Sequence, residues 1–251
     1  VTVFGAHGIR VDGILSAVSY TNAVTSGTAV NALYLNAASS NSFTVVLASN
    51  PTGNAAYLTS NSNNNVISLS TMISNTAASN RAALRLDGAS SSNTIRNSVV
   101  SSLGHAVYLN STAHDNAIMD SVITSSQVWF AAILMDNADF NTVTRSFVSN
   151  VSGYGVNIVS GADSNAISQS TVTNNSSDNV AINILNSATN TVTGSYVSDL
   201  SGTAINLSAS AHNTISQSVF ISSAGNGALV LSGASSNTIS ESFFINSNQY
   251  A

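Results

Sequence analysis

The stretch "HNTISQS" (212–218) returns almost unchanged as "SNTISES" (236–242), and upstream as "TNTVTGS" (189–195), "FNTVTRS" (140–146) and "SNTIRNS" (92–98). Each phrase opens on Asn, places a branched apolar residue two positions on, and ends on Ser five positions on. Aligned on the opening Asn, the series reads Asn41, Asn65, Asn93, Asn116, Asn141, Asn165, Asn190, Asn213 and Asn237, with successive gaps of 24, 28, 23, 25, 24, 25, 23 and 24 residues. A looser phrase, "GILSAVS" (13–19), begins 28 residues before Asn41. Repetition at a fixed period of this length marks a solenoid or a propeller rather than an ordinary globular core.

Each unit contains a second alternating run, such as "ALYLN" (32–36), "ALRLD" (83–87), "AINIL" (181–185) and "ALVLS" (228–232). Short period-two runs bounded by Gly, Asn and Ser are the strand signal. Thr, Ser, Asn and Val are poor helix formers, and no 3.6-residue stripe is present. A propeller blade needs about 40 residues or more, and a leucine-rich repeat needs its Leu consensus and a helical half. What fits is an all-β fold: residues 1–251 as one right-handed parallel β-helix of about ten coils of roughly 24 residues, with no domain boundary and both ends apparently uncapped.

The repeated Asn-x-(Ile/Val)-x-x-Ser phrase resembles the right-handed parallel β-helix repeat proteins, the pectate-lyase-like group, over about residues 9–250. The resemblance implies that the Asn series forms a stacked ladder along one turn. The residues agree, because Asn tolerates unusual backbone angles at bends and stacked Asn side chains can bond one another. The following Ser is small enough for a bend or a crowded interior.

Composition removes several functions. The chain has no Lys, five Arg, ten acids and a net charge of −5, so it carries no basic stripe for nucleic acid. Charged residues make up 6% of the chain, against about 25% in ordinary domains. Cysteine is absent, which removes disulfides and thiolate metal sites. No apolar run is long enough for a membrane span and no signal peptide is visible. The start at Val1 reads as a processed chain or a piece of a longer one.

Outward rows are where function should lie. The central residues of the alternating runs give a candidate contact strip of Arg10, Tyr34, Tyr57, Arg85 and Tyr108, either a sugar platform or a ladder that stabilises the sheet. A second row, Val99, Val122, Phe147, Tyr196, Val219 and Phe243, is a candidate lateral interface, because it is apolar although alternation turns it outward. Thr pairs such as Thr142/Thr144 and Thr191/Thr193 resemble an ice-binding array, broken by Ala117, Met119, Ala166 and Arg96.

Chemistry is sparse. The resemblance implies lyases with clustered acids for calcium and an Arg or Lys base, or hydrolases with paired Asp on adjacent coils. Here Asp87 and Asp136 occupy equivalent places two coils apart, with Asn110 between them. Asp120 and Arg145 share a coil position and are expected to pair. His7, His105, His114 and His212 are read as loop or turn residues, and no nucleophile–base pair is nominated. Of the sequons at Asn110, Asn150, Asn174, Asn175 and Asn206, most are expected by chance in so Asn- and Ser-rich a chain. Trp129–Phe130 forms a bulky insertion, read as a cover for its coil or a contact point.

The sequence therefore predicts a non-enzymatic, extracellular or cell-surface structural protein. Its partner would be itself, stacked head-to-tail into a fibre through Val1, Val3, Phe4, Phe243, Phe244, Ile245 and Tyr250, with no cofactor and no nucleic acid. The alternative is a carbohydrate-binding or polysaccharide-cleaving β-helix, and an ice-binding protein is the third reading.

Overall fold

The computed structural model describes residues 7–13, 19–21, 24–26, 30–223 and 227–247. They form three parallel sheets of ten strands each, and within a sheet every strand pairs with its equivalent one coil on. No helix occurs among the described residues. Taking one coil as the unit, Ser42–Thr44 lies in the second sheet, Leu47–Asn50 in the third and Asn54–Thr59 in the first. The chain is a right-handed β-solenoid.

The inward rows make one continuous core. Phe43, Ile67, Ile95, Ile118, Val143, Ile167, Val192 and Ile215 from the second sheet are at most 2% exposed. Met72, Val100, Ile123, Val148, Val172, Val197 and Phe220 face them from the third sheet, at 0–1%. In the first sheet two successive residues, Ala32 (0%) and Leu33 (1%), both enter the core. The strand therefore bends there, and the column at its inner corner consists of Ala and Gly. A Cβ on Gly155 in that column would lie 2.7 Å from Val172 Cγ1 and 2.5 Å from the Ala181 carbonyl oxygen. At the last described coil the same rows open, with Ile239 40% exposed and Phe244 half-buried.

The corners correct one expectation. The unusual backbone angle belongs not to the Asn but to the residue before it: Ser40, Asn64, Ser92, Asp115, Phe140, Ser164, Thr189, His212 and Ser236 all have positive φ. A left-handed residue reverses the chain so that the next side chain turns inward. There Asn93 Oδ1 accepts both the backbone N–H (2.9 Å) and the side-chain amide (3.0 Å) of Asn65. Its own Nδ2 donates to the Ser62 carbonyl at 2.8 Å and to Asn116 Oδ1 at 3.0 Å. Each Asn side chain thus continues the backbone ladder through a corner that could not otherwise satisfy its buried polar groups. From Asn41 to Asn213 these residues are 0–1% exposed.

The Ser corner repeats the device. Val45, Leu69, Asn97, Asp120, Arg145, Gln169, Gly194, Gln217 and Glu241 have positive φ, and a buried residue follows each except Glu241, where Ser242 is half-buried. Ser121 Oγ accepts the Ser98 N–H at 3.1 Å and donates to the Met119 carbonyl at 2.7 Å. Val45 is the outlier of this row, a β-branched residue at φ 54° and 45% exposed. Val45→Asn is expected to raise stability by about 1 kcal/mol, since Asn tolerates the left-handed region that a branched Cβ resists. Urea unfolding of the two proteins checks this; equal midpoints would mean that the corner is unstrained.

A third corner device carries the chain from the third sheet into the first. Asn50, Asn150 and Asp199 each accept, at one side-chain oxygen, the N–H groups two and three residues on (2.8–3.0 Å), and the third is always Gly. A Cβ at Gly53, Gly153 or Gly202 would lie 2.1–2.3 Å from a carbonyl oxygen of the neighbouring coil, so only Gly fits. The recurring "NPTG", "NVSG" and "DLSG" at one coil position were the available signal. Asn150 (0% exposed) is occupied by this device and Asn174 (3%) donates to Asp199 at 3.0 Å, which closes those two sequons to glycan attachment.

Candidate functional site

The outer face of the first sheet carries the Tyr/Arg strip. Pairing runs Arg10↔Tyr34↔Tyr57↔Arg85↔Tyr108↔Leu134, then continues through Asn157, Asn183, Asn206 and Val230. The Arg85 guanidinium carbon sits between the Tyr57 and Tyr108 rings, 5.1 and 5.5 Å from their centroids, and Arg10 lies 5.5 Å over Tyr34. The Tyr34 and Tyr57 rings are 5.5 Å apart. These aromatic faces are therefore turned toward their neighbours along the stack, and what the strip offers outward is ring edges, hydroxyls and the guanidinium.

The adjoining row supplies carboxylates. Leu86 pairs with Leu109, and Asn110 with Asp136. Asp87 and Asp136 thus stand two coils apart, about 9.6 Å along the axis at ~4.8 Å per coil. The Tyr57 hydroxyl donates to Asp87 (2.8 and 3.0 Å to its two oxygens), and Arg85 bridges the same carboxylate at 2.9 Å. Arg85 also donates to the Asn80 carbonyl, tying the loop ahead of its strand to the site. The Tyr108 hydroxyl reaches Asp136 at a long 3.4 Å. Burial pushes the Tyr57 and Tyr108 phenols up, so both remain protonated donors. On the same face, Ala82, Tyr108, Ala131 and Leu134 form a small apolar cluster with Tyr154 and Val159 against it, its alanines at the opposite end of the strands from the acids.

Further along the face, Asn183 donates to Asn157 and Asn206 to Asn183, each at 2.8 Å, forming an outward amide comb. A shallow depression of about 230 Å³ lies beside it, lined by Val180, Thr203, Asn206 and Val230.

His105 differs from its sequence reading as a loop or turn residue: it is the first residue of the strand His105–Asn110 and 6% exposed. Its ring lies 4.9 Å from Phe130 and 5.4 Å from Tyr108. Burial pushes it down to about 4, so the neutral ring accepts the Ala131 N–H on Nδ1 at 3.1 Å. Among the described residues, no three His, Asp or Glu side chains converge on a metal-sized site.

The remaining expected residues lie elsewhere. Arg145 makes two bonds to Asp120, at 2.8 and 2.9 Å, on an exposed corner where such pairs contribute little. Val99, Val122, Phe147, Tyr196 and Phe243 point outward from the third sheet, 41–69% exposed, and Val219 is half-buried. Of the end-to-end set, Phe243 is exposed, Phe244 half-buried and Ile245 exposed. Val1, Val3, Phe4 and Tyr250 lie outside the described residues.

Residues 82–244, more than half the chain, match the family model described as a right handed beta helix region, and the chain belongs to that family. A search of curated proteins finds no match. Among solved structures, the chain is similar to DFA-IIIase from Arthrobacter chlorophenolicus A6 in complex with DFA-III, with a TM-score of 0.62, 13% identity, and coverage of 85% of this chain and 57% of that one. It is also similar to full-length tailspike protein 2 from an Escherichia coli O157:H7 bacteriophage, with a TM-score of 0.58, 12% identity, and 95% of this chain against 36% of that one. A structure of the enzymatically active domain of the CBA120 tailspike protein 2 aligns at a TM-score of 0.52 and 11% identity, covering 89% of this chain and 36% of that one. The chain thus spans little more than half of the first structure and about a third of the other two.

These neighbours correct the expectation of a non-enzymatic, self-assembling structural protein. A bare run of such coils occurs within enzymes, so repetitive composition and open coil ends carry no argument for a fibre. No helix of the described residues is long and apolar enough to cross a membrane.

Proposed function

We propose that this chain is a carbohydrate-active β-helix, acting outside the cell or at a surface, and that a glycan lies along the outer face of the first sheet. The observation that carries this reading is the pair Asp87 and Asp136, set two coils apart with Asn110 between them and contacted by Tyr57, Arg85 and Tyr108. Their axial spacing of about 9.6 Å adjoins the separation of about 6.5–9.5 Å at which paired carboxyl groups hydrolyse a glycosidic bond with inversion, leaving room for a water. Asp87, held by a phenol and a guanidinium, suits the base that activates this water. Asp136, with one long contact, suits the acid that protonates the leaving oxygen. Asn110 between them and the Asn157–Asn183–Asn206 comb would bond sugar hydroxyls on either side.

The test is release of reducing ends from a panel of polysaccharides. Asp87→Asn and Asp136→Asn are each expected to lower the rate about 10²–10⁴-fold, the usual weight of general acid–base catalysis. A protein that neither cleaves nor retains any of the polysaccharides would sink the reading.

A further inference from the structure

The chain has a single Trp, and its setting is unusual. Trp129 is 69% exposed and adopts φ 68°, a left-handed conformation that bulky residues rarely take. Strain of this kind persists only where the surroundings hold it, and here they do. Gln127 N–H bonds the Leu103 carbonyl at 3.1 Å. The Phe130 carbonyl accepts the Tyr154 N–H at 2.8 Å and the Asn150 side chain at 3.0 Å. The Phe130 ring rests edge-on against His105. The loop also sits so close to Gly153 that a Cβ there would fall 2.5 Å from the Gln127 carbonyl oxygen. The backbone that carries the indole is thus pinned on both flanks, and the side chain is presented to solvent. This does not fit the reading of Trp129 as a cover for its coil.

Beside it is a shallow depression of about 190 Å³, crossing three successive coils at the same corner and lined in part by Val128, Val151, Asn175, Ser177 and Asp178. The Ser201 hydroxyl holds the Asn175 side-chain oxygen at 2.7 Å, which leaves the Asn175 amide nitrogen to donate outward. Phe130 leads directly into the strand Ala131–Asp136, which carries one of the two proposed acids. An exposed aromatic on a pinned loop, next to a polar hollow and at the edge of the face proposed to hold a glycan, has the chemistry of a sugar subsite. We infer that Trp129 and this hollow bind one neutral sugar residue, its C–H face on the indole and its hydroxyls on Asn175, Ser177 and Asp178. The carboxylate at the rim and the net charge of −5 select against a uronate.

This rests on the carbohydrate reading above, and the experiment separates the two. The emission of the sole Trp is followed during titration with neutral gluco-, manno-, galacto- and fructo-oligosaccharides and with polygalacturonate. A saturable shift with a neutral member is expected. By calorimetry, Trp129→Ala should weaken that ligand at least tenfold and Trp129→Phe less, with circular dichroism unchanged. Asp178→Ala should weaken it several-fold. A neutral glycan that binds or is cleaved by wild type and Trp129→Ala alike overturns the subsite and leaves the proposed function standing. Preference for polygalacturonate overturns the neutral class alone, and failure of every glycan overturns both.

Discussion

Replacing Asn141 by Ala is expected to remove about 3–5 kcal/mol of stability and to open the coils on either side of it. The residue is 0% exposed. Its side-chain oxygen accepts the Asn116 N–H and the Asn116 amide, both at 3.0 Å. Its amide nitrogen donates to the Ala113 and Asp139 carbonyls, also at 3.0 Å. Ala would leave at least one buried donor and one buried acceptor without partners, each costing about 1–3 kcal/mol. Ser146→Ala, which deletes one accepted and one donated bond at the less enclosed corner, should cost about 1–2 kcal/mol. Because each coil touches only its neighbours, the damage should be local. Amide exchange should speed up around residues 113–146 while distant coils keep their protection. A loss below ~1 kcal/mol for Asn141→Ala would show that water or relaxation replaces the rung.

The second large effect is hidden in the wild type and appears when either of two buried groups is removed. Asp199 is 0% exposed, and burial pushes its carboxyl up to about 6, only partly opposed by the N–H groups of Ser201 and Gly202. The folded state therefore holds this proton more tightly than the unfolded chain. Its contribution is present in acid and is lost as pH rises from the ordinary carboxylate range through about 6. His105 has the opposite sign. Burial pushes it down to about 4, so its contribution is full above its ordinary value of 6.5 and is lost as pH falls toward 4. Each term is of order 1–3 kcal/mol, and between about pH 4 and 6 they offset one another.

Both groups have natural replacements in the repeat. Asn50 and Asn150 occupy the position of Asp199, and Asn54 performs the task of His105, accepting the Ala82 N–H at 2.9 Å. Asp199→Asn should therefore expose a loss of stability on acidification, and His105→Asn a gain. Urea midpoints from pH 4 to 7 provide the measurement. If both variants keep the wild-type slope, neither group titrates in the folded protein as described.

Much of this molecule is legible from one phrase. The spacing of Asn-x-(Ile/Val)-x-x-Ser determines the period, and the period determines register, because a parallel solenoid pairs every residue with its equivalent one coil on. The rows Arg10 to Val230 and Val99 to Phe243 could be written out from that alone, as could the Asp120–Arg145 pair. Alternation likewise separates core from surface wherever strands are straight.

What only the tertiary structure decided lies at corners and between rows. Left-handed residues have no fixed identity here, ranging from Ser40 to Phe140 and Val45, so the bend was assigned to the Asn that follows. The inward turn of both Ala32 and Leu33 breaks the period-two rule, because the strand bends between them. The contacts of Asp87 come from a hydroxyl one coil below and the guanidinium of Arg85, and Trp129 sits on a loop held against Gly153 and Asn150. Repetition specifies which residues stack. Which side chains cross from one row to the next depends on rotamers and loop paths, and a one-dimensional repeat does not encode them.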